Sequence, residues 1–90
     1  MVIVSYDIES NKKRASFYKY LKKYGHRLQF SVFQIDNSDR VLNNIIHDII
    51  NKFKKEFDEN DSIYIFKIND NNITRFGHAQ NEIKNVIIVS

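Results

Sequence analysis

The apolar pattern of the chain begins with a strand. The run from Val2 to Tyr6 is nearly all apolar, is rich in β-branched side chains and has no helical period. It therefore predicts a strand covered on at least one face. Asp7 follows directly, at the end of a strand, where ligands and metals often meet a sheet. The same position suits a turn cap, because Asp side chains accept hydrogen bonds from nearby backbone amides.

An amphipathic helix is predicted from about Lys12 to Tyr24. Ser10 or Asn11 serves as its N-cap, and Gly25 as the C′ residue that ends it. One side of the helix carries Arg14, Phe17, Tyr18, Leu21 and Tyr24, and the opposite side carries Lys12, Lys19 and Lys23. We expect the aromatic side to be buried and the lysines to face solvent.

The basic residues of this helix allow two interpretations. A lysine face is typical of a solvated surface and equally of a surface that contacts phosphates. Arg14 lies on the apolar side near the helix start, within reach of the end of the first strand. It is expected either to form a structural ion pair with Asp7 or to bind a phosphate there.

The next segment alternates like a strand but changes phase. Leu28, Phe30 and Val32 mark one face, whereas Phe33 and Ile35 mark the other. Such a change predicts a bulge, a sharp bend or two short strands joined tightly around Phe30 and Ser31.

The second half of the chain predicts a helix and three strands. Ser38 caps a helix from about Asp39 to Phe57, with His47 on its exposed side. Its core set is Leu42, Ile45, Ile46, Ile49, Ile50, Phe53 and Phe57. The strand Ser62 to Ile68 is almost continuously apolar, which suits a central position in a sheet. Short strands at 73–76, ended by Gly77, and at 86–89 follow, separated by a polar stretch at 78–85.

This order of elements predicts an α+β protein with the ferredoxin-like βαββαβ pattern and one additional C-terminal strand. An apolar terminal strand invites pairing, so it is expected to add to a sheet, that of a partner subunit being one option. Residues 1–90 form one domain in this interpretation, with about 78–90 as the extension.

Composition narrows the function classes. The 90 residues include no cysteine, which excludes disulfides and thiolate metal sites. No apolar run is long enough for a membrane span and no secretory signal is evident, so a cytoplasmic protein with no membrane partner is expected. The net charge of +3 is mild, and the positions of the basic residues matter more than their sum.

Three stretches resemble the CRISPR-associated protein two family. They are Ser5-Tyr6-Asp7, Lys13-Arg14 and the run Tyr24-Gly25-His26-Arg27-Leu28-Gln29-Phe30-Ser31-Val32-Phe33. Members of that family carry Y-G-x-R-x-Q-x-S-V-F at the position of this run. Gly77 and the apolar C-terminal strand also fit, and Gln34 departs from the Glu found in many members.

The resemblance implies a homodimer in which the C-terminal strand of each subunit packs on the sheet of its partner. Such dimers bridge copies of the CRISPR-associated integrase, protein one, and hold the duplex DNA that becomes a spacer. Members are also described as magnesium-dependent endonucleases acting on RNA or duplex DNA. The resemblance makes Asp7 of both subunits the metal ligand and catalytic residue.

The residues support catalysis only in part, because one subunit offers a single suitable carboxylate, Asp7, and the histidines His26, His47 and His78 are scattered along the chain. An efficient nuclease is therefore not predicted. Arg14 and Arg27 are expected to stabilise a bound phosphate. Ser31 is expected to position water or a phosphate oxygen. The full set expected to contact nucleic acid is Lys12, Lys13, Arg14, Lys19, Lys23 and Arg27.

Three functions remain open at this point. The favoured one is a spacer-acquisition scaffold that holds phosphates without reading sequence, a role that allows weak metal-dependent cleavage alongside it. The second is a magnesium-dependent endonuclease similar to ribonucleases of the virulence-associated protein D type. The third is a regulatory module that binds no nucleic acid.

Overall fold

An antiparallel sheet with helices on one face carries the fold. The computed structural model describes residues 1–77 and 87–89. The helices and strands are β1 (Val2–Asp7), α1 (Asn11–Leu21), β2 (Gly25–Gln29), β3 (Val32–Ile35), α2 (Asp39–Asp48), α3 (Lys54–Glu56), β4 (Ser62–Lys67), β5 (Thr74–Phe76) and β6 (Ile87–Val89). The first four strands pair antiparallel in the order β2-β3-β1-β4. This is the predicted ferredoxin-like arrangement, which is confirmed.

The core lies between the sheet and the helices. Val4 of β1, Phe17 and Leu21 of α1, Phe33 of β3 and Ile45 of α2 are fully buried and belong to one cluster. Their spacing follows the two periods of the sequence, since alternate residues of a strand and every third or fourth residue of a helix share a face. Among the described residues, no helix is long and apolar enough to cross a membrane.

The first helix starts where the sequence predicts but ends earlier. The Ser10 hydroxyl accepts a hydrogen bond from the Lys13 amide at 3.3 Å, which confirms the predicted N-cap. The helix ends at Leu21, and Gly25 opens β2 instead of ending the helix, so the predicted C′ role is wrong. The cause is a close approach of strands, because a Cβ on Gly25 would lie 1.9 Å from the Gln34 carbonyl oxygen.

The phase change between Leu28 and Phe33 is a hairpin, as predicted. Strands β2 and β3 are joined through Phe30 and Ser31, and Ser31 has a left-handed backbone with φ of 65°. A shift of register between Arg27 and Gln29 adds a bulge. Both features reorient side chains near the hairpin tip.

The second helix is interrupted where the sequence predicts one continuous helix. The Ser38 cap is confirmed by its bond from the Val41 amide at 3.4 Å. A π-helical turn at Ile49–Phe53 separates α2 from α3. Two members of the predicted core set lie on the flank instead, with Ile46 and Ile50 exposed at 37% and 54%. The wider turn contains one more residue than an α-helical turn, so the buried stripe shifts.

Strand β4 lies at the edge of the sheet, and its predicted central position is wrong. Its continuous apolar character has another cause. Ile63 and Ile65 pack against the core, whereas Tyr64 and Phe66 lie on the opposite face and are exposed at 61% and 46%. The strand therefore has two apolar faces, one of which the described chain leaves open.

The two C-terminal strands form a separate small sheet. Strands β5 and β6 pair in parallel, with Thr74 opposite Ile87. Gly77 follows β5 with a left-handed φ of 82°, which suits the predicted end of this strand. The predicted polar stretch at 78–85 lies outside the described residues. Packing of the extension on a partner stays a prediction, as does the division of the chain at about residue 78.

Candidate nucleic-acid interface

Asp7 lies exposed at the end of β1, on the face of the sheet opposite the core. Ile3, Ser5 and Asp7 alternate with the core residues of the strand, and Asp7 pairs across the sheet with Ser62. Within residues 1–77 and 87–89, no hydrogen bond or ion pair holds the Asp7 carboxylate. Its oxygens are therefore available to a cation or to water.

Other residues hold the turn between β1 and α1. The Asp61 carboxylate accepts hydrogen bonds from the Glu9 amide at 3.0 Å and from the Asp58 amide at 2.9 Å. These two bonds lower the pKa of Asp61, because they stabilise its charged form. Asp61 and the Ser10 cap thus perform the turn-capping role that the sequence had allowed for Asp7.

Arg14 supports the same turn. One of its guanidinium nitrogens donates to the Ile8 carbonyl at 3.0 Å, and another donates to the Asn11 side chain. The ion pair with Asp7 that the sequence allowed is not formed among the described residues. A third contact places the guanidinium over the Phe30 ring, 5.5 Å from its centre.

Arg14 and Arg27 line one cavity. Arg27 comes from β2 and lies over the Tyr18 ring, 5.1 Å from its centre. The cavity has a volume of about 180 Å³ and is lined by Tyr6, Asn11, Arg14, Ala15, Tyr18, Arg27 and Phe30. We call it the arginine pocket. The structure thus brings together two of the predicted phosphate contacts, which lie 13 residues apart in the sequence.

Tyr6 and Ser31 meet beside this pocket. The Tyr6 amide donates a hydrogen bond to the Ser31 carbonyl at 3.1 Å. Burial raises the pKa of Tyr6, against the opposing effects of Ser31, Arg27 and Arg14. Ser31 therefore anchors the hairpin to β1, and its predicted role in positioning water or phosphate stays a prediction.

The lysines of α1 line a groove against the second helical segment. Near the start of α1, a cavity of about 660 Å³ is lined by Lys12, Lys13, Ser16, Lys55, Glu56, Phe57 and Asp58. Further along α1, a cavity of about 190 Å³ is lined by Ser16, Lys19, Tyr20, Lys23, Lys52 and Phe53. The two cavities lie next to each other along α1, because Ser16 lines both. We call the set Lys12, Lys19, Lys23, Lys52 and Lys55 the lysine groove.

The predicted basic residues differ in whether they form an ion pair with a carboxylate of the described residues. Lys13 pairs with Asp58 at 3.5 Å. No carboxylate of the described residues pairs with a lysine of the lysine groove. Lys52 and Lys55 were missed by the sequence interpretation, although their spacing of three residues on a helix places them near one face.

The donor set limits what one subunit can do with a metal. The described residues contain no group of three or more His, Cys, Asp or Glu side chains that could hold an ion. Magnesium is commonly bound by one or two carboxylates with the rest of its shell made of water and phosphate oxygens. Two copies of Asp7 brought together by a dimer would fit that requirement, whereas one subunit offers a single carboxylate.

The fold and this surface define a class, a small ferredoxin-like protein with an unpaired carboxylate at a strand end and basic helix and hairpin surfaces. Residues 1–76 match the family model described as CRISPR associated protein Cas2. The chain is also similar to a protein of Chloroflexus aurantiacus named CRISPR-associated endoribonuclease Cas2 3. The two are 37% identical over 67 residues, which cover 73% of this chain and 68% of that one. The chain belongs to the Cas2 family, and its function is CRISPR-associated.

Two solved structures share the fold. A hypothetical protein, TT1823, from Thermus thermophilus matches with a TM-score of 0.63 and 28% identity over 76% of this chain and 79% of its own. Cas2 from Streptococcus pyogenes matches with a TM-score of 0.62 and 28% identity over 78% of this chain and 87% of its own. The predicted resemblance is thereby confirmed, and the site residues themselves stay predictions.

Proposed function

We propose that this protein is a spacer-acquisition protein, acting as a dimeric scaffold that binds duplex DNA and bridges subunits of the CRISPR integrase. The observation that supports DNA binding is the lysine groove. Six lysines from two helical segments line its two cavities. Lys13 pairs with Asp58, and the other five form no ion pair with a carboxylate of the described residues. Such a surface suits a phosphate backbone, because lysines contact phosphates without reading base sequence.

The exposed face of the sheet supports a dimer. Tyr64 and Phe66 are exposed large apolar side chains, and cross-strand pairing places them beside Ser5 and Ile3. We call this set of four residues the outer sheet face. Apolar side chains grouped on one sheet face are typical of a surface that another subunit covers. A twofold dimer through this face would also bring the two Asp7 carboxylates towards each other.

The scaffold is tested by the salt dependence of duplex binding. Replacing Lys19, Lys23 and Lys52 with Gln should weaken binding of a blunt DNA duplex and flatten its salt dependence. The slope of log affinity against log salt should fall by about 1 for each phosphate contact removed. Fluorescence anisotropy across a salt series measures both quantities.

Arg40→Gln is the matched control, because Arg40 is an exposed cation at the start of α2 that lines neither the lysine groove nor the arginine pocket. It should leave the slope unchanged. If wild-type protein shows no salt-sensitive binding of duplex DNA, the scaffold is excluded and a regulatory module without nucleic acid becomes the better explanation.

A second candidate function is a magnesium-dependent endonuclease, favoured by the unpaired carboxylate of Asp7. Bound by Asp7 of both subunits, magnesium would supply an activated water and charge neutralisation at the phosphate. Asp7 would hold the ion, and the arginine pocket would orient the neighbouring phosphate. The named activity of the Chloroflexus relative, an endoribonuclease, supports testing RNA as well as DNA.

Cleavage of labelled single-stranded RNA and duplex DNA decides this candidate. Asp7→Asn should reduce magnesium-dependent cleavage by at least about 100-fold, the scale expected when a required catalytic group is lost. Salt-sensitive binding of duplex DNA should persist in this variant, because Asp7 lies outside the lysine groove. Equal cleavage by both proteins would remove Asp7 from catalysis.

A further inference from the structure

The hairpin between β2 and β3 presents an aromatic ring beside the arginine pocket. Phe30 stands at the hairpin tip and is exposed at 72%. It lines the pocket, and the Arg14 guanidinium lies over the ring. The hydrogen bond from the Tyr6 amide to the Ser31 carbonyl, at 3.1 Å, holds the tip against β1, and Ser31 turns the chain there with its left-handed backbone. The ring is therefore exposed at an anchored position, next to two cations.

Phe30 is the aromatic ring of this pocket with open surface. Tyr18 already carries two cations, with Arg27 at 5.1 Å and the Lys22 ammonium at 5.3 Å from its ring centre. Tyr6 is buried, at 5% exposure. Although the Arg14 guanidinium lies over the Phe30 ring, Phe30 stays 72% exposed, which leaves surface on which a planar group can stack.

We propose that the arginine pocket binds one unpaired nucleotide, with its base stacked on Phe30 and its phosphate held by Arg14 and Arg27. The ligand class is single-stranded DNA or RNA, distinct from the duplex assigned to the lysine groove. The inference rests on the proposed function in that it assumes a nucleic-acid ligand, and it adds a separate site for unpaired segments of that ligand.

The size and polarity of the pocket favour this ligand. Its volume of about 180 Å³ is below the roughly 300–1,000 Å³ of sites for drug-sized molecules, so it suits the phosphate of one nucleotide, with the base outside it on the exposed ring of Phe30. A paired base is unavailable, because both of its faces are already stacked inside the duplex. Unpaired bases stack on aromatic side chains regardless of sequence while arginines hold the backbone. The Asn11 side chain adds an amide that can contact a base edge.

The pocket also differs from the lysine groove in composition. Its cations are guanidiniums, which bind phosphate through two parallel hydrogen bonds and stack on rings. Those of the lysine groove are ammonium groups, which act as point charges. The two surfaces share none of their lining residues, so each can be altered alone.

The test uses a fluorescein-labelled oligothymidine of about ten nucleotides, a length within the range of known single-strand sites. A strand with the same backbone but no bases and a blunt duplex are measured in parallel, all with a metal chelator to prevent cleavage. Phe30→Ala should weaken oligothymidine binding by about 5- to 100-fold, the scale of one lost base stack. It should leave the abasic strand and the duplex unaffected.

A conservative variant separates stacking from folding. The chain contains no tryptophan, so Phe30→Trp introduces a single tryptophan at the proposed stacking position, whose emission can be excited apart from that of the tyrosines. This variant should retain the affinity for oligothymidine, and its fluorescence should be quenched by that strand but not by the abasic strand. Arg40→Ala serves as the control for loss of an exposed cation outside the pocket.

The possible results are distinct. If Phe30→Ala binds oligothymidine as tightly as wild type, or if the Phe30→Trp fluorescence is insensitive to bases, the nucleotide pocket is overturned. Equal weakening of the strands with and without bases also overturns it, because only phosphate contacts would then be involved. If wild-type protein shows no salt-sensitive binding of the duplex but still binds oligothymidine in a way that requires Phe30, the duplex scaffold is rejected and the nucleotide pocket is kept.

Discussion

At the scale of single residues, Gly25 shows how a tertiary contact decides a residue's role. The sequence places it at the end of a helix, where glycine is common. In the structure it starts β2, and the space for a side chain is filled by the backbone of Gln34. Backbone atoms of a paired strand cannot move aside as the end of a long side chain can. The preference for glycine here therefore comes from close approach of two strands.

Gly25→Ala should lower the free energy of unfolding by about 1–3 kcal/mol or more, the usual cost of an overpacked site. Gly77→Ala is the comparison, because no atom of the described residues beyond its chain neighbours lies within 4 Å of its added Cβ, and its left-handed φ opposes the change. That cost is about 1–2 kcal/mol. Urea unfolding monitored by circular dichroism measures both. A smaller effect at Gly25 than at Gly77 would contradict the close-approach explanation.

At the scale of elements, the parts of the fold that local sequence determines were predicted. Strand β1 and the caps at Ser10 and Ser38 depend on apolar pattern and on nearby amides, so their signals are local. The edge position of β4 and the π-helical turn depend on which strands pair and how the helix packs. Both features depend on tertiary contacts, so they cannot be predicted from the amino-acid pattern of one segment.

The tether between the β1–α1 turn and the segment before β4 is an element-scale contact with a pH dependence. The Asp61 carboxylate accepts one hydrogen bond from the backbone amide of Glu9 and one from that of Asp58. These bonds lower the pKa of Asp61 from the ordinary value of 3.8. Because the folded pKa lies below the unfolded one, the stabilisation is complete above about pH 4. It is lost as the pH falls through the folded pKa.

Asp61→Asn should therefore reduce stability at neutral pH and make the fall in stability below about pH 4 less steep. Urea midpoints measured between neutral and acidic pH test this. Glu59→Gln is the matched control, since Glu59 is an exposed acid in the same loop that forms no hydrogen bond or ion pair with the described residues. If both variants lose stability at acidic pH as steeply as the wild type, the hydrogen bonds to Asp61 do not contribute to that loss.

At the scale of the whole molecule, the two layers expose different surfaces. The helix layer presents the lysine groove, and the sheet presents the outer sheet face, where Ile3 is nearly buried and Tyr64 and Phe66 are open. A dimer through the sheet would leave both lysine grooves accessible. This separation allows one subunit to bind a partner copy and nucleic acid at the same time.

Tyr64→Glu should weaken self-association by about tenfold or more, because a charge would be desolvated in the interface. Ile50→Glu is the matched control, since Ile50 is exposed to a similar degree on the helical segment. It should leave self-association unchanged. Sedimentation velocity over a concentration series distinguishes them, and equal effects of the two substitutions would exclude the sheet as the dimer surface.

The positions of the candidate site residues could be predicted from the sequence only where the signal is local, as for the fold. Asp7 could be located because a strand end is visible in the apolar pattern. The meeting of Arg14, Arg27 and Phe30 required the hairpin to fold back on α1, and Lys52 joins Lys19 only through helix packing. A single segment carries no signal for contacts between segments.

The π-helical turn has a consequence for how this chain is compared with its relatives. In it the Lys54 amide bonds to the Ile49 carbonyl, five residues back instead of four, so the turn holds one residue more than a regular one. A relative with an uninterrupted helix would keep Phe53 in register only by omitting one residue here. An alignment that forces these helices to equal length would then assign the wrong counterparts to Lys54 and Lys55. The correct alignment in that case places a one-residue gap in the relative, opposite residues 49–53 of this chain.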